Sequence, residues 1–62
     1  MKQANPGNYI KLSGQYYKVD SSDNQLNLYC FRVHKVGGKF SFYTEDNSLV
    51  RINYGSAYEV VA

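Results

Sequence analysis

Apolar and polar residues alternate along most of this chain, and the alternation breaks at short clusters rich in glycine, asparagine and serine. A period of two marks half-buried strands, because successive strand side chains point to opposite faces. No stretch of about ten residues carries apolar positions at i, i+3, i+4 and i+7, so no amphipathic helix is predicted. The breaks recur roughly every 8–12 residues, the rhythm of a small sandwich or barrel.

The registers follow from the turns. Residues 8–12 and 15–19 flank Ser13-Gly14. A two-residue loop sets Leu12 opposite Gln15, Ile10 opposite Tyr17 and Asn8 opposite Val19. Ile10, Leu12, Tyr17 and Val19 then face inward, and Tyr9, Lys11, Tyr16 and Lys18 face water as crossed Tyr–Lys pairs. Residues 20–24 read as a polar loop. Residues 25–36 form the longest strand. Leu26 and Leu28 point one way and Tyr29, Phe31 and Val33 the other, which predicts a bend through a bulge so that each half serves a different layer. Gly37-Gly38 suits a primed turn, because glycine tolerates positive φ. It sets Lys35 opposite Phe40, Val33 opposite Phe42 and Phe31 opposite Thr44. Phe31, Val33, Phe40 and Phe42 are expected to line the interior, with Val36–Lys39, His34–Ser41 and Arg32–Tyr43 outside. A three-residue loop at 45–47 then sets Phe42 against Val50 and Phe40 against Ile52; a four-residue loop would instead bring Arg51 beside Phe42. Residues 53–56 suit one short 3₁₀ turn, and 57–61 a closing strand.

Residues 1–7 read as a flexible N-terminal arm and residues 8–62 as one domain. Hairpin, loop, three-strand meander, tight turn and closing strand is a layout that resembles an SH3-like small β-barrel. The predicted fold is therefore all-β, with five to six antiparallel strands and at most one short 3₁₀ turn. An OB-type barrel is the alternative, ranked lower because that fold runs longer and often carries a helix. A chain of 62 residues of this mass should expose roughly 4,100 Å² when folded, against roughly 10,300 Å² unfolded, which makes its core marginal. The one cysteine cannot form an internal disulfide. No apolar run approaches the ~20 residues that span a bilayer, and residues 1–5 lack an apolar leader core. These features predict a whole, soluble, reduced, cytoplasmic product with no membrane partner.

Candidate chemistry is sparse. Cys30 and His34 are the sole thiol and imidazole, and four residues along a strand separate them by about 13 Å, too far for a nucleophile–base pair. One Cys and one His cannot close a zinc site. Asp20, Asp23, Glu45 and Asp46 lack calcium-loop spacing, and the glycines match no phosphate-binding fingerprint. The chain is read as non-enzymatic, without metal or cofactor.

Binding is the better candidate. The outward meander face groups Arg32, His34, Lys39, Tyr43, Leu49 and Arg51, with an Arg–Tyr cation–π pair. The outward hairpin face of Tyr9, Lys11, Tyr16 and Lys18 is a secondary candidate. Tyr and Arg are favoured interface anchors, which predicts a non-catalytic protein–protein interaction module, a small stand-alone inhibitor or adaptor docking on a larger partner. Its size and its richness in Asn, Tyr, Lys, Phe and Ile fit an accessory protein of a phage or mobile element. The alternative is a single-stranded nucleic-acid binder using exposed Tyr with Lys and Arg. A net charge of only +2, with Glu45 and Asp46 close to Tyr43, ranks it second. Homodimerisation through an edge strand is a third outcome.

Overall fold

The computed structural model describes residues 4–23, 27–43 and 48–62. These form six strands and no helix: β1 (Tyr9–Leu12), β2 (Gln15–Ser22), β3 (Asn27–Val36), β4 (Lys39–Phe42), β5 (Leu49–Asn53) and β6 (Glu59–Val60). All six pair antiparallel in one sheet ordered β4-β3-β2-β1-β6, with β5 also paired to β3. The accessible surface is 4303 Å², close to the value of roughly 4,100 Å² set by mass.

Both hairpins close in the registers that the alternation predicts. Ile10 faces Tyr17 and Leu12 faces Gln15, while Val33 faces Phe42 and Lys35 faces Phe40. Each turn places two successive residues at positive φ, Ser13 (52°) and Gly14 (79°) in one, Gly37 (58°) and Gly38 (81°) in the other. Such turns match the right-handed twist of the strands they join. Ser13 alone carries a Cβ into this region. Asn tolerates it better, so Ser13→Asn should raise stability by about 0.5 kcal/mol, read as a higher urea midpoint.

The main core lies on one face of the sheet. Ile10, Val19, Leu28, Cys30 and Ile52 are buried there together with Ala4, and Leu12, Tyr17, Val50, Tyr54, Tyr58 and Val60 pack around them. The ladders explain the grouping, since directly opposed residues share a face: Val19 faces Cys30, Cys30 faces Val50, Leu28 faces Ile52, and Ile10 faces Val60. Residues 4–7, read from sequence as part of a loose arm, are tied to this core. Ala4 is buried and its amide donates to the Tyr58 hydroxyl (3.4 Å), while the Gly7 amide donates to the Val19 carbonyl (2.9 Å).

Several expectations are corrected. Strand β5 pairs with β3, not with β4, so Val50 meets Cys30 rather than Phe42, and Ile52 meets Leu28 rather than Phe40. Strands β4 and β5 lie end to end along the edge of β3 that faces away from β2. The reason is facial: Phe40 and Phe42 stand on the sheet face opposite Leu28 and Cys30, so a β4–β5 ladder would have turned Val50 and Ile52 away from the core. The bulge falls in β2, where the pairing slips between Val19 and Ser21. Strand β2 therefore runs on to Ser22, through positions that their polar composition marks as loop. Residues 54–56 form a single turn, with the Ser56 amide donating to the Asn53 carbonyl at 3.0 Å. No ladder closes the sheet into a barrel among the described residues. Leu26, Thr44 and the 45–47 loop lie outside them.

Candidate functional site

The pairing of β2 with β3 decides the surface. Tyr16 faces Val33 and Lys18 faces Phe31, which puts the outward side of the first hairpin and the phenylalanine side of the second on the same face. That face lies opposite the main core. Strand β1 gives it Tyr9 and Lys11, β2 gives Tyr16 and Lys18, β3 gives Phe31, Val33 and Lys35, and β4 gives Phe40 and Phe42. Leu49 joins them beside Phe31.

The rings form a connected layer. Tyr9 and Phe40 stack with centroids 4.2 Å apart and planes within 12°. Tyr16 meets Phe40 edge-on at 5.4 Å, and Phe31 meets Phe42 edge-on at 6.0 Å. Strands β1 and β4 are three spacings apart, roughly 14 Å in a flat sheet. Twist lifts diagonally opposite corners of a sheet toward one another on a given face. The two rings can thus lean together above β2 and β3. This roof leaves Val33 only 1% exposed, outside the main core cluster. Phe42 and Leu49 stay in solvent, at 47% and 49% exposure. The inward assignment of the second hairpin therefore fails for Phe42, and Phe40 is half-buried under Tyr9 rather than in the main core.

Three lysines are threaded through the rings. The Lys18 ammonium sits 5.7 Å from the Tyr9 centroid and 5.5 Å from that of Phe42. Lys35 lies 5.9 Å from Tyr16 and 5.8 Å from Phe40, and Lys11 lies 5.6 Å from Tyr16. Each contact is a weak cation–π attraction, about 0.5–1 kcal/mol where exposed. Together they hold positive charge at the height of the ring faces. Glu59, opposite Lys11 on β6, stands at the margin of this face.

The six residues singled out from sequence are divided. Arg32, His34, Lys39 and Tyr43 lie on the opposite side of the sheet. There Arg32 stands 5.6 Å over the Tyr43 ring and His34 meets that ring edge-on at 4.7 Å. Leu49 and Arg51 face the aromatic side, across from Phe31 and Tyr29; the β3 pairing of β5 causes the split. The secondary group of Tyr9, Lys11, Tyr16 and Lys18 is wholly on the aromatic face. Phe31, Lys35, Phe40 and Phe42 complete that face; alternation alone puts the three phenylalanines inside and gives Lys35 no binding role. The signal that could have placed them is the match of Leu28 and Cys30 to the inward Val19, which sends Phe31 to the outside.

The remaining polar groups hold structure. The Tyr29 hydroxyl donates to Asp23 Oδ2 at 2.7 Å, and Asp23 Oδ1 accepts from the Asn27 amide at 3.1 Å. That hydrogen bond, with desolvation and the negative charge of Asp23, raises the Tyr29 pKa. Burial pushes the Cys30 thiol up to about 11, with a smaller contribution from Asp20. A thiol held protonated is a poor nucleophile. Among the described residues no three His, Cys, Asp or Glu side chains gather as a metal site, and no helix is long and apolar enough to cross a membrane.

The Cys30 shift has a measurable consequence. Below pH 9 the thiol is protonated in both states; from pH 9 to about 11 the unfolded chain loses the proton and the folded one keeps it. Stability should then fall by up to about 1.4 kcal/mol per pH unit from this group, and Tyr29 acts in the same direction above pH 10.0. Urea midpoints across that window should decline less steeply for Cys30→Ala than for the parent. Parallel declines would contradict the assignment.

The chain matches no protein-family model, no curated protein and no solved structure.

Proposed function

We propose that the protein is a non-catalytic binding module for single-stranded nucleic acid, working through its aromatic–lysine face. The observation that carries this reading is the interleaving on one sheet face of Lys11, Lys18 and Lys35 with Tyr9, Tyr16, Phe40 and Phe42. Unpaired bases stack on aromatic rings while lysines track the phosphates. A base settling on Phe42 displaces the Lys18 ammonium from above the ring, and the displaced cation is then free to meet the phosphate beside that base. Bases in a duplex have their faces covered by neighbours and cannot make this exchange. Protein–protein interfaces, by contrast, are depleted in lysine, which reverses the ranking drawn from the low net charge and from Glu45 and Asp46 in the sequence. Fluorescence anisotropy with a labelled strand of about 12 nucleotides is the test. Micromolar binding at low salt that weakens as salt rises supports the reading; no binding at low salt overturns it.

The second reading keeps the protein partner. Exposed Phe42 and Leu49 and the Arg32–Tyr43 pair on the other side suit an inhibitor or adaptor of a phage or mobile element, docking on a larger cytoplasmic protein. In either case we take the curled sheet as an SH3-like small barrel left open. Its support is that Ile52 of β5 and Val60 of β6 pack on one core from different parts of the sheet. Homodimer formation through an edge strand would appear as a doubled mass in light scattering.

A further inference from the structure

Resting on the single-strand reading above, we infer that the aromatic–lysine face binds its strand without reading sequence and neutralises about three phosphates. Base identity is read by side chains that hydrogen-bond to base edges, mainly Arg and Lys on guanine, Asn and Gln on adenine, and Asp and Glu on cytosine. At the centre of this face the described residues include no Arg, Asn, Gln, Asp or Glu, and the lysines there, Lys18 and Lys35, have their ammoniums held over ring faces. Tyr16, Lys18, Phe31, Val33, Lys35 and Phe42 occupy it, in cross-strand rows set by the β2–β3 and β3–β4 ladders. Glu59 stands at one margin, across from Lys11, and at the other stand Arg51, across from Tyr29, and the hydrogen-bonded Asn27–Asn53 pair. A ring offers its π-face to every base, so stacking on Phe42 is tolerant of sequence. The cations seated against rings also set a count. Lys11, Lys18 and Lys35 are the ammoniums held among the rings, and each can neutralise one phosphate. Arg32 and Lys39 face away and do not contribute; Arg51 lies on this face but at its margin, across from Tyr29, and is left out of the three.

Salt dependence carries the count. Three neutralised phosphates on a single strand give a slope of log affinity against log salt near −2, from about 0.7 per phosphate. The experiment is anisotropy with full-length protein and three labelled strands of about 12 nucleotides, all-thymidine, all-cytidine and mixed. A hairpin duplex of matched length is the fourth probe. Affinities for the three strands within about tenfold of one another, weaker duplex binding and a slope near −2 support the inference. A preference beyond about tenfold for one sequence, or a slope of about −4 or steeper, overturns it while leaving single-strand binding intact. Failure of every strand to bind at low salt overturns the underlying reading instead. Lys18→Gln gives a second measure: it should weaken all three strands by the same factor and make the slope shallower by about 0.7. An unchanged slope removes Lys18 from the phosphate count.

Discussion

Leu28→Ala should remove most of the chain's stability and bring it close to its unfolding midpoint at room temperature. Leu28 is 0% exposed, faces Ile52 across the β3–β5 ladder, and lies in the cluster with Ile10, Val19 and Cys30. Truncating a buried leucine costs about 2–5 kcal/mol, because the surroundings only partly collapse into the space. A domain of this size holds a reserve of roughly 3–5 kcal/mol, with no disulfide to supplement it: Cys30 is free and buried. The control is Leu49→Ala. Leu49 stands three ladder positions away on the same strand pair, on the other face, and is 49% exposed. That substitution should shift stability by about 0.5 kcal/mol or less. Thermal melts followed by circular dichroism decide the matter. A cooperative, near-native melt for Leu28→Ala beside a collapsed Leu49→Ala would mean that the sheet buries its other face.

The hairpins were legible because turn chemistry and alternation are local. Ser13-Gly14 and Gly37-Gly38 each admit one two-residue loop, and that loop determines every opposed pair on its strands. The relation between the hairpins was not legible from those turns. The Tyr16–Val33 and Lys18–Phe31 pairs span a connection shorter than composition suggests, since β2 continues past the bulge between Val19 and Ser21 into residues of loop-like composition. Alternation shows which residues share a face within a hairpin, but it does not say which of the two faces is the interior. Phe40 and Phe42, as large rings, outweighed the smaller Leu28 and Cys30 as candidates for burial. The small residues won because Val19, Val50 and Ile52 pair beside them, whereas the rings are satisfied by one another and by lysine stems. The candidate site followed the same logic. Tyr9, Lys11, Tyr16 and Lys18 group on the first hairpin from its register alone, whereas Phe31, Lys35, Phe40 and Phe42 join them only through the β2–β3 ladder, which puts Cys30 and not Phe31 on the core side. Strand β5 was lost for the same reason: pairing Val50 with Phe42 is sound only if Phe42 points inward.

Phe42→Ala should separate folding from binding. Read from alternation alone, Phe42 is a core residue whose loss costs about 3–5 kcal/mol and unfolds the domain. With nearly half its surface in solvent and a single edge-on ring partner, Phe31, its truncation should cost about 1 kcal/mol and leave a cooperative melt. Its loss should be felt in the ligand instead. Removing one stacking ring lowers single-strand affinity by about 1–3 kcal/mol, a drop of roughly 5–150-fold. Phe42→Tyr keeps the ring and should keep the affinity. Arg32→Ala, on the other side of the sheet, should bind as the parent does, because its guanidinium is held over Tyr43, away from the lysine-bearing face. Equilibrium titrations of the three variants at one salt concentration read the contrast directly. If Phe42→Ala binds as tightly as the parent while Arg32→Ala does not, the working surface is the Arg32–Tyr43 side, and the rings opposite serve only to cover Val33.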